Sequence, residues 1–165
     1  MSDRVIGPLR ELRAPIHEGL RQVQTAGVAV QTAEDRVAMA ALQVALEFVE
    51  GKLLPHLNAE EFTLLPAADG VLGHPAATGP LRAQHVSIRA MAGDLRKAAD
   101  AAFSAGEVAE FAQYLLPLLY GLYALARAHV ESEDDVLLAI LDEHLSESQA
   151  GVIVKNIERI TAAGA

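Results

Sequence analysis

Apolar residues recur along this chain at intervals of three and four, and no stretch alternates with a period of two. The pattern predicts helices and no strand. From Pro8 to about Val30, the positions Leu9, Leu12, Ile16, Leu20 and Val23 form one stripe. Pro8 suits a first helical turn, where a missing N–H costs nothing. Thr32 with Asp35 three residues on has the form of a cap. From there Val37, Met39, Leu42, Leu46, Val49 and Leu53 carry a second helix to about Leu65, ended by Pro66-Ala67-Ala68-Asp69-Gly70. The stretch through Gly73 and Pro75 to Gly79-Pro80 reads as the main loop. Leu81, His85, Ile88, Ala92 and Leu95 mark a third helix. Ser104 and Glu107 are spaced as a capping box that opens a fourth, through Phe111, Leu115, Leu118, Leu122 and Leu125 to about Leu145. Ser146 with Gln149 does the same for a short terminal helix ending near Thr161. Pro55 and Pro117 fall inside helical stripes, where each removes a backbone donor and crowds the carbonyl four residues back. Gly51, four before Pro55, relieves that crowding and predicts a kink or bulge just before His56; the plainer alternative is a break from Gly51 to Pro55.

Four long amphipathic helices with short connections imply an all-α, antiparallel up-down four-helix bundle with a short C-terminal helix. At 165 residues the chain is expected to be one domain, 1–165, with the bundle over about 8–145 and an extension over 146–165. Hydrophobic residues make up 52% against 21% charged, which excludes disorder, while no apolar run approaches the ~20 residues of a membrane span. The net charge of −9 opposes nucleic acid or an acidic membrane as partner and leaves small neutral ligands. With no Cys, disulfides, Cys-based zinc sites, iron–sulfur clusters and thiol nucleophiles are absent. The start, Met1-Ser2-Asp3-Arg4-Val5-Ile6, lacks a charged head before an apolar core, so a cytoplasmic location is the default expectation.

The chemistry sits in two similar segments, His56-Leu57-Asn58-Ala59-Glu60 and His129-Val130-Glu131-Ser132-Glu133. On a helix, positions four apart share a face, so each segment aims an imidazole and a carboxylate the same way. Their neighbours on that face, among them Val49, Leu53, Ala59, Leu122, Leu125, Ala126, Val136 and Leu137, are apolar. A buried carboxylate is costly unless its charge is compensated, and a shared metal would do so. In an up-down bundle, residues at one level on consecutive helices are equidistant from the turn between them. His17 and the first pair have their midpoint at about 37, that pair and His85 at about 71, and His85 and the second pair at about 108. Each falls within about five residues of a predicted break, or about 7 Å along a helix. The bookkeeping thus brings His17, His56, Glu60, His85, His129 and Glu133 to one layer. Four imidazoles and two carboxylates suit two transition-metal ions with the Glu residues bridging, and fit iron or manganese better than a closed structural zinc.

The order His17, His56-x-x-x-Glu60, His85, His129-x-x-x-Glu133, one element per helix, resembles the hemerythrin-like (HHE) cation-binding domain, and the likeness covers about residues 8–145. The resemblance implies a non-haem di-iron site with those six residues as ligands and an oxo or hydroxo group completing the bridge, manganese or zinc being the other metals. The oxygen-carrying hemerythrins have a further His one turn after the third-helix ligand, where this chain has Arg89, and their last carboxylate is usually an Asp one residue along, where this chain has Asp134. The likeness is therefore to the four-His, two-Glu type. It implies a protein that binds, senses or reacts with a small oxidant (O2, hydrogen peroxide or nitric oxide), with a redox partner or a second copy as further partners. Peroxide decomposition, oxidase activity, non-catalytic iron or oxygen storage, and a metal-independent interaction module are the alternatives. The expected small-molecule pocket is lined by Leu53, Ile88, Leu122 and Ala126.

The remaining polar residues read more simply. His74 lies in the loop, and His144 suits a helix end. Glu61, Glu131, Asp134 and Asp135 form a solvated acidic face, with Glu61 a candidate outer partner for a ligating His. Tyr114, Tyr120 and Tyr123 read as packing.

Overall fold

Pro15 makes the first decision. It has no N–H for the Glu11 carbonyl, so the helix predicted from Pro8 to Val30 is split in two. In a computed structural model, which describes residues 5–163, α1 (Gly7–Glu11) gives way to a turn at Leu12 and Arg13, and α2 (Ala14–Thr32) begins with Pro15 in its first turn. That turn places Arg13 at the head of α2, only 2% exposed.

The predicted Thr32 cap does not form: its hydroxyl donates back to the Val28 carbonyl at 2.8 Å. α3 (Asp35–Phe48) starts from Glu34, and the Asp35 carboxylate accepts instead from the backbone N–H groups of Val108 at 2.7 Å and Ala109 at 3.1 Å. One acid thereby ties two connections together. α3 continues through a π turn, Val49–Leu53, into α4 (Leu54–Phe62). This is the bulge expected before His56: the wider turn absorbs the donor Pro55 lacks.

Pro66 does not end this segment. The chain breaks earlier, at Thr63 (φ −130°, ψ −71°), and α5 (Leu64–Leu72) carries Pro66 in its first turn, where backbone N–H groups have no intrahelical partner. Gly73, at φ 70°, stops α5. The predicted main loop shrinks to residues 73–78, held by Asp69 Oδ1 accepting from Thr78 N at 2.8 Å. α6 (Gly79–Ala105) ends at Gly106, φ 75°. The Ser104 and Glu107 capping box is not made: Ser104 bonds back to the Asp100 carbonyl at 2.8 Å, and a 3₁₀ turn, Ala109–Phe111, leads into α7 (Ala112–Ser132). Pro117 stays inside α7. A second π turn, Glu133–Leu137, joins α7 to α8 (Leu138–His144). α9 (Glu147–Ala163) opens on the predicted box, with Gln149 N to Ser146 Oγ at 3.3 Å and Ser146 N to Gln149 Oε1 at 2.9 Å.

The described residues are thus helical and contain no strand. α2 packs against α3 and α7, α6 against α7 and α3, and α9 against α4 and α1. A Cβ on Gly19 would overlap the Phe48 ring, so glycine is what lets α2 approach α3 there. Two apolar clusters result. One holds Ile16, Leu53, Leu57, Ile88, Leu122 and Val130; the other holds Leu9, Ala59, Leu64, Leu137, Leu141 and Ile153. Along each strut the two meet at the same place: between Leu9 and Ile16, around Leu57 and Ala59, and between Val130 and Leu137. The buried polar residues Arg13, His56, Glu60, His129 and Glu133 occupy that seam, joined by His85 from α6. None of the helices is long and apolar enough to cross a membrane, among the described residues.

Candidate metal centre

Four side chains with ligand chemistry converge in this seam. One donor atom each from Glu60, His85, His129 and Glu133 lies within 4.8 Å of the others, and all four residues are buried. α4 presents Glu60 one turn beyond His56, α6 presents His85, and α7 presents His129 in its last turn. Glu133, one turn later, is the first residue of the π turn.

The two imidazoles are aimed from behind. His85 Nδ1 lies 2.8 Å from Glu61 Oε1, and His129 Nδ1 lies 2.9 Å from Gln84 Oε1. Burial pushes the Glu61 carboxyl up, but hydrogen bonds from His85 and Arg82 outweigh it and hold the group below its ordinary value. It is therefore an ionised acceptor, as is the amide oxygen of Gln84, so each Nδ1 donates. A ring that carries its one proton on Nδ1 offers Nε2 as a bare lone pair. Those two Nε2 atoms are 2.9 Å apart. Lone pairs facing each other at that distance repel unless a proton or cation joins them. Nitrogens about 2.1 Å from a shared ion can be up to about 4.2 Å apart, so one ion could accept both lone pairs here.

The carboxylates complete the donor set. Glu60 Oε2 lies 3.5 Å from His85 Nε2 and 3.8 Å from His129 Nε2, and Glu133 Oε2 lies 3.5 Å from His129 Nε2. Glu60 Oε2 and Glu133 Oε1 are buried without a hydrogen-bond partner, a condition that costs about 1–3 kcal/mol per group. A cation bound among them would remove that cost. The residues present therefore fit a metal ion. His56 stands beside the group: its Nε2 is 3.0 Å from Glu60 Oε1, yet the angle is not that of a hydrogen bond and the atom is unpartnered.

The remaining side of the site belongs to Arg13. Its Nη2 lies 2.7 Å from Glu60 Oε1 and 2.5 Å from Glu133 Oε2, and its Nη1 lies 2.9 Å from Asp134 Oδ1. Burial works against the guanidinium charge, but Glu60 and Glu133 outweigh it and raise the group. Burial pushes Glu60 up, and the charges of His56 and Arg13 overcome this and hold it well below the ordinary carboxylate value. Burial and then the Glu60 charge drive Glu133 well above it, with Arg13 opposing. Two buried carboxylates thus share one guanidinium, and of the two it is Glu133 that holds its proton more tightly. Burial lowers His129, which favours its neutral, ligating form.

Of the six residues the sequence nominates, the structure gathers Glu60, His85, His129 and Glu133, sets His56 alongside, and does not bring in His17. The His17 side chain is 42% exposed and its Nε2 lies 2.8 Å from Asp134 Oδ2. Arg13 and His17 stand one turn apart on the same helical path, and it is the Arg13 turn that lies level with Glu60 and Glu133. Asp134, read as part of a solvated face, instead bridges Arg13 and His17. Gln84 carries no motif. Arg13 had a signal: its midpoint with the 56–60 pair is about 35–36, nearer the α2–α3 break than the His17 midpoint of about 37. The pocket-lining candidates Leu53, Ile88, Leu122 and Ala126 are fully buried in the first apolar cluster. Val136, placed by its spacing on the apolar face, is 59% exposed. His74 and His144 make local contacts only, His74 Nδ1 accepting from Ala76 N at 3.2 Å and His144 Nδ1 donating to the Ile140 carbonyl at 2.8 Å.

A family model described as the hemerythrin HHE cation binding domain matches residues 10–141, a span that includes Arg13 and every member of the cluster. Comparison with curated proteins and with solved structures gives no match.

Proposed function

Because the chain belongs to the hemerythrin HHE cation-binding family, we propose that Glu60, His85, His129 and Glu133 hold a redox-active transition metal, iron foremost, through which the protein binds, senses or reacts with O2, hydrogen peroxide or nitric oxide. In this reading α2, α3 with α4, α6, and α7 with α8 form one antiparallel up-down domain around the site, and α5 and α9 cover its end. The two-residue α2–α3 connection and the packing of α2 on α3 and α7 support that arrangement.

Such an ion, when bound, supplies reversible one-electron chemistry and a position for a small ligand. The chain supplies the rest. His85 and His129 bind through Nε2, while Glu61 and Gln84 fix the tautomers and keep the rings from turning. Glu60 and Glu133 carry the compensating charge. Leu53, Ile88, Leu122 and Ala126 exclude water from one side, which strengthens every charge interaction in the seam. Glu133, whose carboxyl is raised by burial and by the Glu60 charge, would give up its proton to solvent on binding.

The observation that carries this reading is the pair of Nε2 atoms 2.9 Å apart with both Nδ1 atoms already committed. The test is metal content of protein purified without chelator, with absorption spectra before and after O2, peroxide and nitric oxide. A bound transition metal that responds to at least one of these, and is lost in His129→Ala, is expected. A chain that retains no metal after anaerobic iron loading overturns the proposal. Peroxide or O2 consumed catalytically, against a single stoichiometric spectral change, separates turnover from storage or sensing.

A further inference from the structure

We propose that Arg13 stands in for a second metal ion, so that each chain holds a single ion on the His85–His129 side of the carboxylates. This rests on the metal-binding reading above and adds its stoichiometry.

Two ions in such a seam would have to share Glu60 and Glu133, one on each side. Glu60 is already divided in that way. Its Oε2 faces His85 and His129, while its Oε1 is taken by Arg13 Nη2 at 2.7 Å. The same Nη2 takes Glu133 Oε2 at 2.5 Å. The guanidinium therefore bridges the two carboxylates from the side where a second ion would sit. It is held there. The side chain is 3% exposed, and its Nη1 is fixed by Asp134 at 2.9 Å. An arginine cannot shed its charge to make room, since it does not deprotonate in proteins.

With Arg13 in place, the ligands left free on that side are too few for an ion of their own: Asp134 is taken by Arg13 and His17, and Arg13 also occupies Glu60 Oε1 and Glu133 Oε2. His17 is turned to Asp134 and is 42% exposed. Only the His56 imidazole stands near Glu60 Oε1. Charge leads to the same conclusion. Once both are ionised, Glu60 and Glu133 with the guanidinium carry one negative charge between them, and Asp134 pairs with the guanidinium from outside; an ion added beside Arg13 would set a second cation against it on the same carboxylates. Arg13 sits at the head of α2 with its guanidinium held by three carboxylates, so its place does not depend on a free side chain.

The test uses the full chain, stripped with chelator and refilled anaerobically with Fe(II), and in parallel with Mn(II). Metal per chain is measured after removal of excess, and the Mn(II) form is examined by electron paramagnetic resonance. Wild type should hold one ion, with the spectrum of isolated Mn(II). Arg13→Gln should take up a second equivalent and show the broadened spectrum of a coupled pair, whereas Arg13→Lys, which keeps the charge, should stay at one. Two ions in wild type overturn the inference and leave the metal-site reading standing; no ion in wild type removes both. A folded Arg13→Gln that still holds one ion also overturns it. Should that variant not fold, the wild-type count and line shape decide the matter.

Discussion

Removing the carboxylate behind His85 tests whether the imidazole is positioned for a metal or merely packed. Glu61 Oε1 accepts from His85 Nδ1 at 2.8 Å, and Oε2 is held by Arg82, which also reaches Asp69 Oδ2 at 3.1 Å. Loss of such an outer partner typically weakens metal binding 10- to 100-fold, equivalent to about 1.4–2.7 kcal/mol. The structure sets where each variant falls. Glu61→Gln keeps an oxygen acceptor and loses the charge, so about 10-fold is expected. Glu61→Ala removes both, but the Glu61 side chain is 20% exposed and water can replace part of the bond, so about 30- to 100-fold is expected. Arg82 keeps Asp69, so the apo fold should lose no more than about 1 kcal/mol in either case. The assay is competition for Fe(II) or Mn(II) against a chromophoric chelator at pH 7, with thermal unfolding of the apo proteins as the control for folding. Glu61→Ala binding metal as tightly as wild type would refute the claim that this carboxylate fixes the tautomer and aim of His85.

Two further outcomes follow from packing and charge. Gly93 lies within α6 with nothing within 4 Å of an added Cβ, so Gly93→Ala should gain about 1 kcal/mol from helix propensity and raise Tm by about 2–4 °C. Gly19→Ala gains the same propensity but drives a methyl into the Phe48 ring, so a net loss of about 1–3 kcal/mol is expected in chemical denaturation; equal stability of the two variants would sink the reasoning. The raised Glu133 carboxyl fixes a sign for pH. Its favourable contribution to the apo fold is full below the unfolded value of about 4.3 and is lost as pH rises through the raised folded value. Since an entering ion must displace that proton, apparent metal affinity should rise with pH across the same window. Dye-detected proton release on metal addition checks it, and uptake without release would contradict it.

The helical stripes were readable because burial repeats with the helical period whatever the tertiary contacts. What failed to read was the use made of particular polar and cyclic residues. Pro15 and Pro66 behave alike, each in the first turn of a helix that opens after a break just upstream, whereas Pro117 stays inside α7, and the stripes alone do not separate the two outcomes. Thr32, Ser104 and Asp35 have the form of local caps, but the hydroxyls bond back one turn and Asp35 caps a distant connection. Ser146 and Gln149 behave as spaced, with no distant partner competing. The same limit governs the site. The His-x-x-x-Glu pairs were legible because their geometry is internal to one helix. The choice between His17 and Arg13 was harder, because the two are one turn apart on the same face and only their midpoints, differing by about two residues, tell them apart.

The two π turns give the site a phase relation to the rest of the molecule. Each inserts about one residue into an otherwise α-helical path, and one residue is about 100° of rotation. Val49–Leu53 precedes His56 and Glu60, so those side chains point inward only because the upstream stripe has been rotated past them; Glu133–Leu137 resets α8 in the same way after Glu133. A one-residue deletion at Lys52, restoring a plain helix, would swing His56 and Glu60 about a quarter turn out of the seam while leaving α3 undisturbed. The acid and imidazole on α4 are therefore directed by a winding defect that neither of them contributes to.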